Sequence, residues 1–533
     1  MKRTNILWLT GLVLGWFFDF LFWKSGVGIN FAIYVALCLA GEFLVLGLNG
    51  LRPAWKSLIL LAPILFFTLM SFIRLEPLSM FLAFALTLGL MGLLAVTFLG
   101  GGWPWYGLSD YLTGFFKLVG SMIALPLKFR SEQQKEAVAG GMDDPRPTSK
   151  LGWKRFWAVF RGLLVALPIV ALFAALLSSA DLVFAQRFQE FTKLFRLEKF
   201  PEYIFRIFYI LVGAYALVGV FLHSTQKSRD EKLAGMDKPL VSPFMGFTEA
   251  AVVLGAVVTL FAVFVVIQFQ YFFGGQTNIG VQGFTFSEYA RRGFGELVTV
   301  AFFSLLLFLG LSAIVKRQTL TQRWVFSGLG IGMVVLVGVI LDSAFQRLLL
   351  YEAAYGFSRL RMYTHIFMIW LGALLAVVVV LEILRRERLF ALAALLASIS
   401  FAATLMLVNV DATIIRQNVA RAPQGKGLDV PYLASLSTDS VPALVAEFQD
   451  RSLPGMTRDA VGAVLFCREQ AGSGGGNDNW RTFTISRWQA DRAMNQIQSK
   501  LDNYKILDTG WPVKILTPAS VDYDCHQSSG MGD

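Results

Sequence analysis

The chain has 533 residues, of which 56% are apolar and only 16% charged, with a mean hydropathy of +0.59. A water-soluble globule of that length needs more charge on its outer face, so lipid is the solvent for most of it. The formal charge of +11 does not imply a nucleic-acid partner, because the basic residues form no patch interleaved with aromatics and sit in short connections between apolar segments.

Roughly eleven apolar segments, each about 17–23 residues long, are long enough to cross a bilayer as helices. They fall at 6–22, 30–48, 57–73, 80–99, 157–178, 204–222, 249–271, 296–315, 324–345, 363–383 and 389–408. Lys2 and Arg3 precede the first, and Trp23-Lys24 stands where a signal peptide would carry small residues. An uncleaved first span is therefore expected. With the N-terminus inside, the connections on that side hold Arg52 and Lys56; the basic stretch 128–155; Lys227, Arg229 and Lys232; Lys316, Arg317 and Arg323; and Arg385, Arg386 and Arg388. Every such connection is basic, as inner loops should be, and the odd number of spans puts the tail after residue 408 outside.

Residues 104–129 are nearly apolar enough to form another span. Asp110 and Lys117 interrupt them, and Trp103, Trp105, Tyr106 and Tyr111 have the character of interface residues. The pattern predicts an amphipathic helix in the membrane plane. A polar linker at 131–150 follows, and 181–203 alternates Phe with charge as a second interfacial piece. The expected organisation is a four-span section at 1–103, the in-plane helix and basic linker at 104–155, a seven-span body at 156–409 and a small, mainly helical soluble domain at 410–533. No internal repeat supports an inverted-repeat transporter.

In that last domain, Thr438-Asp439-Ser440 before Val441-Pro442 reads as a helix start. Further helices are expected from about Thr457 and over roughly 487–501. The glycines at 472–476 form a loop, with neither the preceding strand nor the Lys-Ser or Lys-Thr of a phosphate cradle. Cys38 lies inside the second span. Cys467 and Cys525 lie in the tail, where they pair as a disulfide in an oxidising compartment or, with His526, supply three metal ligands; the disulfide is the expectation.

Charge at span ends needs a reading of its own. Over 274–296, Thr285 and Glu288 form a capping box. Glu288, Arg292 and Glu296 then recur at four-residue spacing, with Arg291 beside them. Over 342–365 the chain carries Asp342, Glu352, Tyr355, Arg359, Arg361 and His365. Because Arg291 and Arg292 lie on the wrong side for inner-loop charge and near a helix N-terminus, an acid must compensate them, and Glu352 or Asp342 is the expected partner. Such a cluster either locks helices together or forms a polar site for a lipid headgroup, ion or solute. Asp19, Glu42, Glu249 and Glu382 read as bundle-facing or snorkelling acids. His223, His365 and His526 show no ligand spacing, so no metal is expected. No nucleophile elbow, kinase loop or dinucleotide fingerprint occurs, so no catalytic set and no cofactor is expected.

Four stretches carry a resemblance to a known family: SSADLVFA at 178–185, FSEYARRGFGEL at 286–297, YGFSRLRMYTH at 355–365 and LDVPYLASLSTDSVPAL at 428–444. They resemble the bacterial polytopic membrane proteins of domain of unknown function 4173, to which domain of unknown function 4153 is related. The resemblance implies a bacterial cytoplasmic-membrane protein in which the YARRG and YG-x-S-x-x-R residues are structural; it implies no reaction. The combined expectation is an all-α, multi-pass membrane protein, N-terminus inside, acting as a non-enzymatic scaffold or signalling partner whose outer domain meets another envelope protein and whose spans meet lipid. A transporter or channel for a small solute or ion is the alternative, and an enzyme acting on lipid or cell-envelope precursors the second.

Overall fold

The structure, a computed structural model, describes residues 4–139, 200–229, 243–273, 294–424, 427–472, 479–508 and 513–525, together with positions 170, 173 and 177. Its membrane helices are α1 (Thr4–Phe22), α2 (Ile29–Leu48), α3 (Trp55–Leu58), α4 (Leu61–Ile73), α5 (Pro77–Thr97), α6 (Leu108–Ala139), α7 (Phe200–Gln226), α8 (Phe247–Phe273), α9 (Phe294–Ile314), α10 (Leu320–Tyr355), α11 (Arg359–Ile383) and α12 (Phe390–Val408). Among the described residues, 11 segments are long and apolar enough to cross a membrane, α3 and α4 counting as one. The protein is thus an all-α multi-pass membrane protein.

All of these but one coincide with expected spans. The exception is Leu108–Gln133. The segment expected to lie in the membrane plane forms one continuous helix, α6. Its first turns run antiparallel alongside α5, where glycines permit close approach: a Cβ on Gly114 would lie 3.3 Å from Val96, and one on Gly92 3.5 Å from Leu118. The expected span at 157–178 and most of the interfacial piece at 181–203 lie outside the described residues.

The chain divides into two compact units, one of residues 1–20 and 119–223, the other of 21–118 and 224–533. In the first, α1 and α7 run antiparallel with Gly11 against Ala214 and Val218, and Gly15 against Ile210 and Ala214. Small residues are what let two helices approach in lipid. One turn further along, Asp19 accepts from Arg206 and Tyr209.

In the second unit, Leu39, Ile64, Phe67, Leu90 and Phe98 of the front section form a core that also takes in Ala402 and Met406 of α12. A second core joins α8 to α11 through Leu254, Leu305, Met333, Val337 and Leu375. Helix direction alternates, so the connections fall on two faces. On one, Ser57 bonds Thr97, Trp103 bonds the Lys56 carbonyl, and Arg388 reaches Trp105 and Asp110. Lys316, Arg317, Arg323 and Arg385 lie at the matching ends of α9, α10 and α11. The opposite face carries the soluble tail. Among the described residues, the connections that carry Lys56, Lys316, Arg323, Arg385 and Arg388 thus lie on the side away from the tail.

The tail begins without a break at α13 (Val410–Arg421), turned out of α12 by Asn409 at φ 50°. It continues through α14 (Val430–Ala434), α15 (Val441–Gln449), α16 (Gly455–Gly472), α17 (Ile485–Asn495) and α18 (Gln498–Leu501). A three-stranded antiparallel sheet follows, of β1 (Lys505–Asp508), β2 (Lys514–Leu516) and β3 (Asp522–Asp524) in that order. The sequence pattern does not show this sheet, because strands of three or four residues are too short for alternation to register. Cys467 and Cys525 are joined by a disulfide across 58 residues, as expected. The core of the tail contains Ile414, Leu433, Leu444 and Leu465, and also Ile366 of α11 and Leu405 of α12, with Leu82, Trp370 and Phe401 packed against it. Membrane helices and soluble domain therefore share one hydrophobic core.

Candidate functional site

The polar residues expected at the ends of α10 and α11 lie where the tail seats on the membrane helices. Helix α10 stops at Gly356, whose φ of +88° strongly favours glycine. A Cβ there would also lie 2.5 Å from both Arg421 Nη1 and Asn418 Oδ1. Asn418 holds the next residue by both backbone groups: its Oδ1 accepts from Phe357 N–H at 3.0 Å, and its Nδ2 donates to the Phe357 carbonyl at 2.9 Å. Arg421 donates to the Ala353 carbonyl at 2.9 Å. One helix of the tail, α13, thereby clamps the α10–α11 turn.

Two residues on, Arg359 opens α11 and meets Asp411 fork to fork, Nε to Oδ1 at 2.8 Å and Nη2 to Oδ2 at 2.6 Å. Asp411 is fully buried and accepts a third bond, from Ser437 N–H at 2.7 Å. The Arg359 N–H donates to the Tyr432 hydroxyl at 2.8 Å. This carboxylate is therefore well supplied with donors, as a buried charge requires.

A second seat lies at the α4–α5 turn. Glu76 caps α5 by accepting from Leu78 and Ser79 N–H at 2.9 and 2.7 Å, and it also accepts from the Tyr363 hydroxyl. Asp439 of the tail accepts from Leu75 and Glu76 N–H at 2.8 and 2.9 Å, while Arg74 donates to the Met406 carbonyl at 2.9 Å. Burial pushes the Asp439 carboxyl above its ordinary range, against the nearby Ser486 hydroxyl, the N–H bonds of Leu75 and Glu76 and the charge of Arg74. A third seat joins the α1–α2 turn to the tail, through Ile29 N–H on the Phe483 carbonyl at 2.9 Å and Asn479 on Ser25 at 3.0 Å. Arg468 is half-buried with its guanidinium on the Ala434 and Leu436 carbonyls, and desolvation pushes it down to about 10.

The structure brings together only part of the expected cluster. Glu352 is 1% exposed. Its Oε1 lies 3.2 Å from His365 Nδ1, close enough for an ion pair, although neither carboxylate oxygen has hydrogen-bond geometry with a described group. His365 in turn packs on Phe345 at 4.7 Å. Arg361 stacks on Tyr351 at 4.1 Å and donates to the Gly356 carbonyl. Tyr355 is exposed beside Tyr351, and Glu296 is exposed in the first turn of α9. Asp342 accepts from Gln346 on its own helix at 2.9 Å. Glu288, Arg291 and Arg292 lie outside the described residues, and the expected pairing of Glu352 or Asp342 with either arginine lies there with them.

Asp411, Asn418, Glu76 and Asp439 were not among the expected site residues. Glu76-Pro77 carried a readable signal, an acidic cap before Pro at the first helical position. Asp439 read as a cap for its own helix, yet its carboxylate serves the entry to α5. Nothing local marks Asp411 or Asn418, whose partners on the α10–α11 turn lie more than 50 residues away.

Among the described residues no three His, Cys, Asp or Glu side chains group as metal ligands. An apolar cavity of about 210 Å³ lies between α5 and α6, and a polar one of about 670 Å³ lies at the basic face; neither is lined by Glu296 or Asp342. The tail-side acids cap helices, bond backbone or pair with cations. That chemistry fixes two parts of a protein to each other.

Fold and site together define a polytopic α-helical membrane protein with a soluble domain keyed to the ends of its spans. The chain belongs to the family of domain of unknown function DUF4153, whose model matches residues 61–447. Of the two families expected from the four stretches, this is the one the comparison shows. The match begins in the third span, earlier than those stretches, and ends in α15, so it includes Glu76, Arg359, Asp411 and Asp439. No curated protein and no solved structure matches the chain.

Proposed function

We propose that this protein is a non-enzymatic scaffold or signalling partner of the bacterial inner membrane, with its N-terminus in the cytoplasm and its tail outside, where the tail contacts another envelope protein. The observation that carries the reading is the keying of the tail to three turns of the bundle through Arg359–Asp411, Asp439 on the α4–α5 turn, and Phe483 on the α1–α2 turn. A load or a partner acting on the tail is thereby felt by the spans. Two features support the orientation: among the described residues, the connections with Lys56, Lys316, Arg323, Arg385 and Arg388 lie on the face away from the tail, as basic cytoplasmic loops do, and the tail holds a disulfide, which persists in oxidising compartments.

Photo-crosslinking residues placed at Met456 and Trp488, both exposed on the tail, test the function in cells. The expected result is a covalent adduct with one envelope protein that weakens when Asp411→Asn loosens the seat. Adducts containing only this chain overturn the reading. A reporter after Asp533 that fluoresces only in the cytoplasm should stay dark; bright cells overturn the orientation.

A further inference from the structure

The polar cavity at the basic face is not part of the site above. Its volume is about 670 Å³, and its lining includes Lys316, Arg317, Arg323 and Arg385 but one acid, Glu382. That acid is occupied: it accepts from the Ser327 hydroxyl and lies 4.0 Å from Arg317.

Apart from Arg317, which Glu382 meets, the cations are oriented by groups that do not neutralise them. Arg317 stacks on Phe326 at 4.7 Å and donates to the Ser312 carbonyl and hydroxyl at 2.9 and 3.0 Å. Arg323 donates through Nε to the Arg317 carbonyl at 3.3 Å, and Arg385 lies over the Trp324 ring at 5.5 Å. Lys316, Arg323 and Arg385 have no carboxylate partner among the described residues. Arg323 also lies in the first turn of α10, whose dipole repels a cation. An aromatic face and a carbonyl thus orient Arg385 and Arg323 while leaving their charge to be met by something else.

The surroundings are apolar. Phe244, Leu320, Trp324, Ile383 and Leu384, neighbours of the lining residues in the chain, are all exposed. Trp beside basic residues at a span end is typical of headgroup depth.

We propose that this cavity binds a phosphate-bearing anion, supplied by an anionic phospholipid whose headgroup enters among Lys316, Arg323 and Arg385 while its chains lie along the exposed apolar residues. Phosphate is matched by several convergent cations, and an amphiphile is matched by a charged cavity beside apolar surface.

The test is native mass spectrometry of the full chain in detergent, offered phosphatidylglycerol or phosphatidylethanolamine, with and without millimolar inorganic phosphate. The wild type should retain phosphatidylglycerol preferentially. Lys316→Gln/Arg323→Gln/Arg385→Gln should lower that retention by at least about tenfold, while Arg52→Gln/Lys56→Gln/Arg386→Gln, which removes the same charge from the same face outside the cavity, should not. Displacement by inorganic phosphate assigns the site to soluble phosphate, and its absence assigns the lipid; the site stands in both cases. Equal loss in the two triple variants, or no loss in the first, overturns it. Should the first variant aggregate on size exclusion, Lys316→Gln alone is expected to lower retention about fivefold, and unchanged retention overturns the site.

Discussion

Arg359, the first residue of α11, holds the fully buried Asp411, the second residue of α13, by two parallel bonds, its own side chain being half-buried. This pair joins a membrane helix to the soluble tail, so its loss should be felt as undocking. Removing one partner of a buried pair strands the other: Asp411→Ala should cost roughly 3–5 kcal/mol, and Arg359→Met/Asp411→Leu distinctly less. Thermal melting of the detergent-solubilised protein, read by tryptophan fluorescence, measures both; a double variant no better than the single removes the pair from its assigned role.

Glu76 does two jobs, capping α5 and receiving Tyr363. Glu76→Ala should lose the cap at about 1–2 kcal/mol, and Tyr363→Phe about 1 kcal/mol. Because they share one contact, the combined loss should fall short of the sum, which a double-mutant cycle on the same melting transition reads directly.

Gly356→Ala meets two obstacles, a backbone at φ +88° and the clamp of Asn418 and Arg421. The cost should exceed about 1 kcal/mol. Protease sensitivity of the turn at 356–358 should rise with it, and an unchanged digestion pattern would show that the clamp yields freely.

Asp439 gives a pH dependence of definite sign. Its folded carboxyl is raised by burial, so the native state takes up a proton before the unfolded chain does. Its contribution is present below the unfolded value and is lost as pH rises through the folded one. Lowering the pH from about 7 to about 4 should therefore move the wild-type Tm in its favour relative to Asp439→Asn. A change in the opposite direction would mean that the N–H donors of Leu75 and Glu76 outweigh desolvation.

Cys467→Ser/Cys525→Ser opens a 58-residue loop and should destabilise the tail by about 4 kcal/mol on the chain-entropy model. A reductant should reproduce most of that loss in the wild type and none of it in the variant.

Much of this architecture was legible in the residues. Span length and hydropathy identify most of the helices, since a bilayer leaves little choice of secondary structure, and the placement of Arg52, Lys316 and Arg385 anticipates which helix ends share a face. The helix at Leu108–Ala139 was harder to read. Asp110 argues against insertion by its charge alone, yet it faces Arg388 and the Gly107 N–H at a rim where that charge is met. The docking residues were hidden for another reason: Asp411 and Asn418 act on partners far off in sequence, and no periodicity encodes such a meeting. Glu352 or Asp342 is expected to meet Arg291 or Arg292, which lie outside the described residues; among the described residues Glu352 lies against His365, a neighbour 13 residues away that charge spacing alone does not select.

The single core running through Leu405, Val410 and Ile414 makes the tail a graft rather than a module. Cut away at residue 410, it would turn Val410, Ile415 and Leu433 to water and leave a wound of equal size on α11 and α12. Substitutions at the graft line must suit lipid-borne and aqueous halves together, so neither half is at liberty to drift alone.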